Sequence, residues 1–220
     1  MTIPKIIIQT WKNKNLPKNA NILINKLKSN NPHYKYLFFS DKDIDRFFAI
    51  EYPEYIEIFK NFEYNIQKFD FFRLVAIYHY GGFYFDIDVD INSCLDELCD
   101  YSCVFPQEFK KNGDPYLQKK NMIMLIGNYG FGASPKNKFI KMCIDNIIKP
   151  KISIDDIPGK GTDKQKNVFY TTGPVLITDC YNDYPNKEEI KIIKPDNGKK
   201  YQFGKFGEHL CYGTWKGARR

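Results

Sequence analysis

Residues 69–90 combine two hydrophobic patterns, which are joined by two glycines. From residue 71 to 78 nearly every side chain is apolar, which predicts a buried helix rather than one with a single apolar face. Asp70 and Arg73 interrupt this helix one turn apart, so their side chains share a face. The glycines stand where a left-handed helix cap is expected. Because a buried ion pair in so apolar a helix is costly, we favour a functional role for Asp70 and Arg73 over a structural one.

The segment after the glycines, FYFDIDVD, alternates apolar and polar side chains and predicts a strand over residues 83–90. One side of this strand would be apolar, and the other would carry Tyr84, Asp86, Asp88 and Asp90. Neighbouring side chains on one side would lie about 6.5 Å apart. Since like charges this close repel each other, a divalent cation is the simplest partner that favours the arrangement.

Two further strands are predicted near the N-terminus, over residues 3–11 and 34–39, because both stretches are rich in β-branched or aromatic residues. In nucleotide-binding α/β folds the ligand lies at the carboxyl ends of the strands. The candidate residues at these two ends are Gln9, Thr10, Trp11 and Asp41. Trp11 could stack on a base or simply cover the core, and both interpretations remain open here.

Helical spacing of apolar residues predicts helices over residues 19–28, 44–62 and 135–148. The first of these helices would turn Ile22, Leu23 and Leu27 inward, and the second would break near Pro53. Ser40 and Asp41 are expected to begin the second helical region as its cap. A further helix is expected to begin with Thr172 as its cap and Pro174 in its first turn.

The later strands are predicted to be short, over residues 122–126 and 190–193. Two polar stretches that contain glycine and proline, residues 106–120 and 150–167, are expected to be loops.

The composition is that of a soluble globular protein, with 43% hydrophobic and 27% charged residues in 220. We expect one domain over residues 1–220. The net charge of +7 comes from lysines spread along the chain, which indicates a solvated basic surface rather than a nucleic-acid partner. No apolar run is long enough to span a bilayer or to form a signal peptide, so we expect a soluble, cytoplasmic protein without a membrane span.

Six cysteines without a secretory signal predict free, mostly buried thiols in a reducing compartment. Cys99 and Cys103 have a spacing compatible with zinc, but no second close pair of Cys or His completes a zinc site.

Taken together, the Asp70 and Arg73 spacing, the Tyr-Gly-Gly that follows and the Asp-x-Asp at Asp86 and Asp88 resemble the DXD glycosyltransferases of the fungal initiating α-1,6-mannosyltransferase type. The same spacing is similar to the catalytic domains of the large clostridial glucosylating toxins. The resemblance continues into the segment after Asn128, the Thr-Gly-Pro at 172–174 and a C-terminal signature. That signature consists here of His209, Thr214 and Trp215.

This resemblance implies an α/β fold, namely a GT-A-type, Rossmann-like nucleotide-binding domain with a mixed central sheet flanked by helices. It implies Mn²⁺ or Mg²⁺ as the cofactor, with Asp88 as the main ligand and Asp86 and His209 as further candidates for the metal site. Asp86 could alternatively hold the ribose or a water outside the metal's own ligands. Asp70 would accept hydrogen bonds from sugar hydroxyls, and Arg73 would orient Asp70 or bind the sugar. The catalytic candidates are Asp70, Arg73, Asp86 and Asp88. The donor-binding candidates are Gln9, Thr10, Trp11, Asp41, Asp70, Arg73, Tyr84, Asp86, Asn128 and Trp215.

The implied activity is metal-dependent transfer of a hexose from a nucleotide sugar to a hydroxyl of a glycan or lipid-linked sugar, with retention of anomeric configuration. The resemblance favours a UDP-sugar as donor, with GDP-mannose next. Since no further carboxylate stands out as a nucleophile, it implies a front-face displacement in which the departing phosphate oxygen takes the proton of the acceptor.

Two other functions compete with this interpretation. Asp86, Asp88, Asp90 and Glu97 occupy ligand positions of an EF-hand loop, but Ile91 replaces its required glycine and the segment before it predicts a strand. A sugar-nucleotide-binding relative without catalytic activity has the same residues. For Asp41 and Asn128, a helix cap and a turn are structural alternatives to donor binding.

Overall fold

The computed structural model describes residues 2–108, 124–151, 162–196 and 200–212. Its strands are β1 (Ile6–Thr10), β2 (Lys35–Phe39), β3 (Gly82–Phe85), β4 (Val89–Ile91), β5 (Cys103–Glu108), β6 (Leu125–Ile126), β7 (Gly130–Ala133), β8 (Ile190–Ile193) and β9 (Gly207–His209). Its helices are α1 (Lys18–Asn30), α2 (Asp41–Glu51), α3 (Ile56–Asn61), α4 (Asn65–Tyr80), α5 (Lys138–Ile148), α6 (Asp163–Thr171) and α7 (Pro174–Asp183). Among these described residues, no helix has both the length and the apolar character needed to cross a bilayer.

The central sheet has the strand order β2-β1-β3-β7-β5-β6, and β8 pairs with β5. Strand β1 is parallel to β2 and β3, whereas β7 is antiparallel to β3 and β5. Strands β4 and β9 form a separate antiparallel ribbon. This mixed sheet with flanking helices confirms the predicted α/β architecture, and its parallel strands bring the ends of β1, β2 and β3 to one edge.

Helix α4 is buried because it is apolar almost all round, as its sequence predicts. Phe71 stacks on Phe48 of α2 with ring centroids 5.6 Å apart, and Phe72 packs against Phe39 of β2 at 5.1 Å. The helix ends at Gly81, which has a φ of +67° and whose N–H donates to the carbonyl of Ile77 at 2.8 Å. The predicted glycine cap with positive φ is thus confirmed, although its ψ of −168° lies outside the left-handed helical region. The helix is therefore capped at its C-terminal end and packed against both α2 and β2.

The prediction of one strand over residues 83–90 is wrong, because the strand ends at Phe85 and the chain then turns. The N–H of Val89 donates to the carbonyl of Asp86 at 3.1 Å, which closes the turn. The N–H of Asp86 still bonds the carbonyl of Tyr129 at 2.8 Å, but beyond this point the chain pairs with β9 instead. Since Ile87 and Val89 remain buried, the alternation correctly predicted burial but not the backbone path.

Several element boundaries also differ from the sequence predictions. Gly173, not Thr172, is the N-cap of α7, and Pro174 occupies the first turn as expected. Helix α6 begins inside a predicted loop, and β5 continues through Pro106 because its partners β6 and β8 extend that far. Residues 109–120 and 152–161 of the two predicted loops lie outside the described residues, as do the first two residues of the strand predicted over 122–126.

The thiols are free, as predicted, but only half of them are buried. The buried ones are Cys103, Cys143 and Cys180, whereas Cys94 and Cys211 are exposed.

Helix α1 buries Leu23 and Leu27 as predicted, but Ile22, which was also expected to face inward, is not buried. Ile22 is 57% exposed, whereas Ile24 is 4% exposed and packs with Ala20 and Ile87. The helix therefore supports the turn after β3 directly.

We expect Ile24→Ala to lower the free energy of unfolding by about 2 to 4 kcal/mol, because it leaves a cavity beneath Ile87. The same substitution at Ile22 should change it by less than about 0.5 kcal/mol, since that side chain lies in solvent. Urea denaturation of both variants provides the measurement. Equal losses at the two positions would contradict the orientation of α1.

Candidate active site

The ends of β1 and β3 support each other through polar side chains. Gln9 is 1% exposed, and its Nε2 donates to the carbonyl of Asp86 at 3.3 Å while its Oε1 accepts from the Tyr36 hydroxyl at 3.0 Å. Thr10 Oγ1 lies 3.2 Å from the Tyr84 hydroxyl. Gln9 is thus placed beneath the turn after β3, and Thr10 is placed beside it.

Trp11 and Asp41 follow the neighbouring ends of β1 and β2, where the sequence predicted a ligand. The N–H of Trp11 donates to the carbonyl of Phe39 at 3.2 Å, and its ring packs near Ile87. Its indole Nε1 is buried and has no hydrogen-bond partner among the described residues. Asp41 is exposed at the start of α2, where Ser40 rather than Asp41 forms the cap.

The guanidinium of Arg73 connects three parts of the fold. Its Nη2 lies 3.2 Å from Asp70 Oδ1 and 3.2 Å from Asp86 Oδ1. Its Nη1 donates to the carbonyl of Asn128 at 2.6 Å, and its Cζ lies 4.7 Å from the centre of the Tyr84 ring. Arg73 is 4% exposed. It therefore fixes α4, the turn after β3 and the loop before β7 relative to one another.

Asp70 is held by donors from three different elements. Besides its ion pair with Arg73, its Oδ2 accepts from Thr172 Oγ1 at 3.0 Å and its Oδ1 accepts from Asn128 Nδ2 at 3.1 Å. Burial raises the pKa of Asp70 to about 6, against the opposing effects of Arg73 and Thr172. This carboxylate is thus mostly ionised at neutral pH and in a defined orientation.

Asp86 lies between Arg73 and the more open side of the site. Its Oδ1 accepts from the Tyr84 hydroxyl at 2.9 Å, and its side chain is 26% exposed. Burial raises the pKa of Asp86, although the charge of Arg73 acts in the opposite direction.

Asp88 contacts the C-terminal part of the chain. Its Oδ1 lies 3.3 Å from His209 Nε2, and its Oδ2 accepts from the N–H of Tyr212 at 2.9 Å. Burial alone would raise the pKa of Asp88, but His209 and the N–H of Tyr212 lower it below its usual value. Burial alone would lower the pKa of His209, but Asp88 raises it to about 10. Pairing of Val89 with His209 in the β4–β9 ribbon brings the two side chains together.

Asp86, Asp88 and His209 could hold one metal ion, because their ligand atoms lie within 4.8 Å of one another. Two carboxylates with one imidazole suit a divalent first-row ion such as Mn²⁺, whereas Mg²⁺ prefers oxygen ligands alone. The residues therefore fit the divalent metal that the resemblance implies.

The EF-hand alternative does not fit the structure. Asp90 pairs with Lys26 at 2.7 Å, and Glu97 pairs with Lys205 at 2.8 Å. Because both carboxylates are directed to lysines on other segments, they do not converge with Asp86 and Asp88 as calcium ligands would.

The sequence prediction missed two residues that contact this site. Thr172 was expected only as a helix cap, and its bond to Asp70 joins residues 102 positions apart. The ring of Tyr129 stacks on the imidazole of His209, with centroids 4.6 Å apart. No local pattern signals either contact, although Thr172 stands in the Thr-Gly-Pro that the resemblance includes. Trp215, a predicted donor-binding residue, lies outside the described residues, as does Thr214.

The sequence and the fold are similar to those of known glycosyltransferases. Residues 17–105 match the family described as "glycosyltransferase sugar-binding region containing DXD motif". The chain is 30% identical over 229 aligned residues to inositol phosphoceramide mannosyltransferase 1 of Schizosaccharomyces pombe, covering 98% of this chain and 63% of that protein. It is 30% identical over 139 residues to the initiation-specific alpha-1,6-mannosyltransferase of Candida albicans, covering 60% and 33%. The chain thus spans less than two thirds of the length of these relatives.

Among solved structures, the UDP-bound glycosyltransferase domain of the YGT toxin is similar, with a TM-score of 0.57 at 9% identity, covering 88% of this chain and 80% of that one. This likeness shows the fold and confirms the predicted GT-A type. Together with the family match, it also confirms the resemblance to DXD glycosyltransferases and to toxin domains.

The raised pKa of Asp70 predicts a particular pH dependence of stability. The pKa of an aspartate in the unfolded chain is about 3.9, whereas that of Asp70 in the folded chain is about 6. Protonation of Asp70 therefore stabilises the folded state. This stabilisation is complete below about pH 4 and is lost as the pH rises through 6. Asp70→Asn lacks this titration. Its free energy of unfolding, minus that of the parent, should therefore increase by about 2 to 3 kcal/mol between pH 4 and pH 7.

Urea denaturation at several pH values measures this difference. Asp96→Asn serves as the control, because Lys5 lowers the pKa of that exposed carboxyl and the difference should then not increase with pH. A difference for Asp70→Asn that stays flat between pH 4 and 7 would contradict the raised pKa.

Proposed function

We propose that this chain transfers a hexose from a nucleotide sugar to a hydroxyl acceptor with the aid of a divalent metal. The match of residues 17–105 to the glycosyltransferase sugar-binding region containing the DXD motif supports this proposal. The observation that carries this proposal is the bridge formed by Arg73, which lies 3.2 Å from both Asp70 and Asp86. Arg73 thus holds Asp70, a candidate sugar-binding carboxylate, in a fixed position relative to Asp86, a candidate metal ligand. Such a fixed geometry is required to break the bond between the sugar and the diphosphate of the donor.

The diphosphate side of the donor is assigned to the turn after β3 and the C-terminal segment. As the glycosidic bond breaks, negative charge develops on the phosphate, and a bound divalent ion supplies the Lewis acid that stabilises it. Asp86, Asp88 and His209 would hold that ion. Arg73 and the Tyr84 hydroxyl already orient the carboxylate of Asp86, and the N–H of Tyr212 orients that of Asp88.

The sugar side is assigned to Asp70 and Asn128. An ionised carboxylate offers about four lone-pair directions, so Asp70 can accept from a sugar hydroxyl in addition to its bonds from Asn128 and Thr172. Arg73 keeps the Asp70 carboxylate in one orientation and compensates its charge. We propose that these contacts fix the anomeric carbon close to the metal site.

The nucleoside is assigned to the edge formed by β1 and β2. Trp11 presents an aromatic ring there, and its buried indole N–H has no partner among the described residues. Thr10 and Asp41 lie at the same edge. A base stacked on Trp11 would thus place its ribose and phosphates toward Asp86.

We propose mannose as the sugar, because both curated relatives reported above are mannosyltransferases. GDP-mannose is then the expected donor, and a UDP-hexose, which the resemblance to the toxin domains favours, is the alternative. The acceptor is proposed to be a hydroxyl of a glycan or lipid-linked sugar. For retention of configuration, the acceptor oxygen would bond the anomeric carbon on the face that the phosphate leaves, and its proton would pass to the departing phosphate oxygen.

Thermal stability should increase when the chain is given its nucleotide sugar together with Mn²⁺, since ligands that bind only the folded state stabilise it. We expect GDP-mannose to give the largest shift in a panel with UDP-, CMP- and TDP-sugars. The shift should disappear in Asp88→Asn and persist in Asp90→Asn, a matched control whose carboxylate pairs with Lys26.

Different results of this panel exclude different parts of the proposal. A shift for a UDP-sugar alone would replace mannose by the UDP-hexose alternative. Stabilisation by Ca²⁺ without any nucleotide effect would contradict the transferase function, as would the absence of any metal-dependent shift.

Asp70→Asn should separate transfer from metal binding. We expect it to slow transfer by about 100-fold, because it removes charge-assisted bonds to the sugar, while Mn²⁺ affinity stays within about twofold of the parent. Rates of sugar transfer or donor hydrolysis provide the readout, with Asp96→Asn as an exposed control. Unchanged rates in Asp70→Asn would exclude Asp70 from the reaction.

A further inference from the structure

The imidazole of His209 is oriented by more than its contact with Asp88. The ring of Tyr129 stacks on one of its faces, with centroids 4.6 Å apart and planes at 23°. The Tyr201 ring stands almost perpendicular to it at 6.2 Å, and Cys211 Sγ lies 3.5 Å from its Nδ1. Because Tyr201 is 39% exposed and Cys211 is exposed too, Tyr129 is the rigid member of this group.

Tyr129 also touches the other side of the candidate metal site. Its carbonyl accepts the N–H of Asp86 at 2.8 Å, immediately before the turn that carries Asp88. Its main chain therefore fixes one candidate ligand and its ring contacts another. Tyr129 stands between β6 and β7 of the central sheet, and its ring contacts His209 of β9. It therefore connects the central sheet to the β4–β9 ribbon.

The contact of Tyr129 with His209 uses its ring rather than its hydroxyl. The side chain is 2% exposed, and its hydroxyl has no hydrogen-bond partner among the described residues. A buried tyrosine hydroxyl usually has a partner, so the polar atom does not account for the position of this residue. The aromatic face against His209 does.

We infer that Tyr129 is a positioning residue that presets the imidazole of His209 for the metal. This inference rests on the proposed function, because it requires His209 to be a metal ligand. The main chain of His209 is fixed by pairing with Val89, but its side chain needs a further contact to keep Nε2 directed toward Asp88. Without the stacked ring, binding of the ion would have to immobilise a freely rotating imidazole, which has an entropic cost. Mutation of residues that hold metal-bound histidines typically weakens metal binding by about 10- to 100-fold.

The test measures Mn²⁺ affinity on the whole chain without donor, from the electron paramagnetic resonance signal of free Mn²⁺. Tyr129→Leu should bind Mn²⁺ about 10-fold more weakly, because it removes the aromatic face. Tyr129→Phe keeps that face and should bind within about twofold of the parent. Parent-like affinity in Tyr129→Leu would overturn the inference, as would an equal loss in both variants, which would assign the effect to the hydroxyl.

A second pair of variants distinguishes positioning from a general loss of structure. In a His209→Ala background there is no imidazole to orient, so adding Tyr129→Leu should cause no further loss of Mn²⁺ affinity. A further loss of 10-fold in that background would overturn the inference. A parent chain that binds no Mn²⁺ at all would instead contradict the proposed metal site itself.

Discussion

A guanidinium buried between two carboxylates of different elements sets the arrangement of the whole site. Taking Arg73 out of water is costly, and only close anionic partners and hydrogen-bond acceptors compensate that cost. Asp70, Asp86 and the carbonyl of Asn128 supply them, so a displacement of any one would leave a buried charge incompletely paired. This constraint explains why so apolar a helix as α4 carries charged residues at all.

The charges of the site are unbalanced in a way that suits a cation. Three carboxylates, Asp70, Asp86 and Asp88, face the fixed charge of Arg73 and the imidazole of His209, whose pKa is raised to about 10. A bound divalent ion would replace the proton of His209 and leave the cluster close to neutral. The positive charges of Arg73 and His209 explain how these carboxylates can stand so close together.

Local patterns predicted much of the fold because helices, caps and strand ends depend on neighbouring residues. The buried helix, its Gly81 cap and the polar residues after β1 and β2 follow from spacing alone. The turn after Phe85 could not be predicted in this way. Its path depends on contacts with remote residues, because Asp86 bonds Tyr129 and Val89 then pairs with His209 of β9. Thr172 and Tyr129 were missed for the same reason: their partners, Asp70 and His209, are remote in sequence.

The β4–β9 ribbon makes the candidate metal site dependent on contacts between remote parts of the chain. Asp86 and Asp88 follow directly from the central sheet, whereas His209 reaches them only by pairing with a strand more than a hundred residues earlier. Contacts of such high sequence separation form slowly, because closing the intervening chain has an entropic cost. The candidate site would thus have all three ligands only while the C-terminal strand stays docked, and opening of the ribbon would leave the two carboxylates without the imidazole.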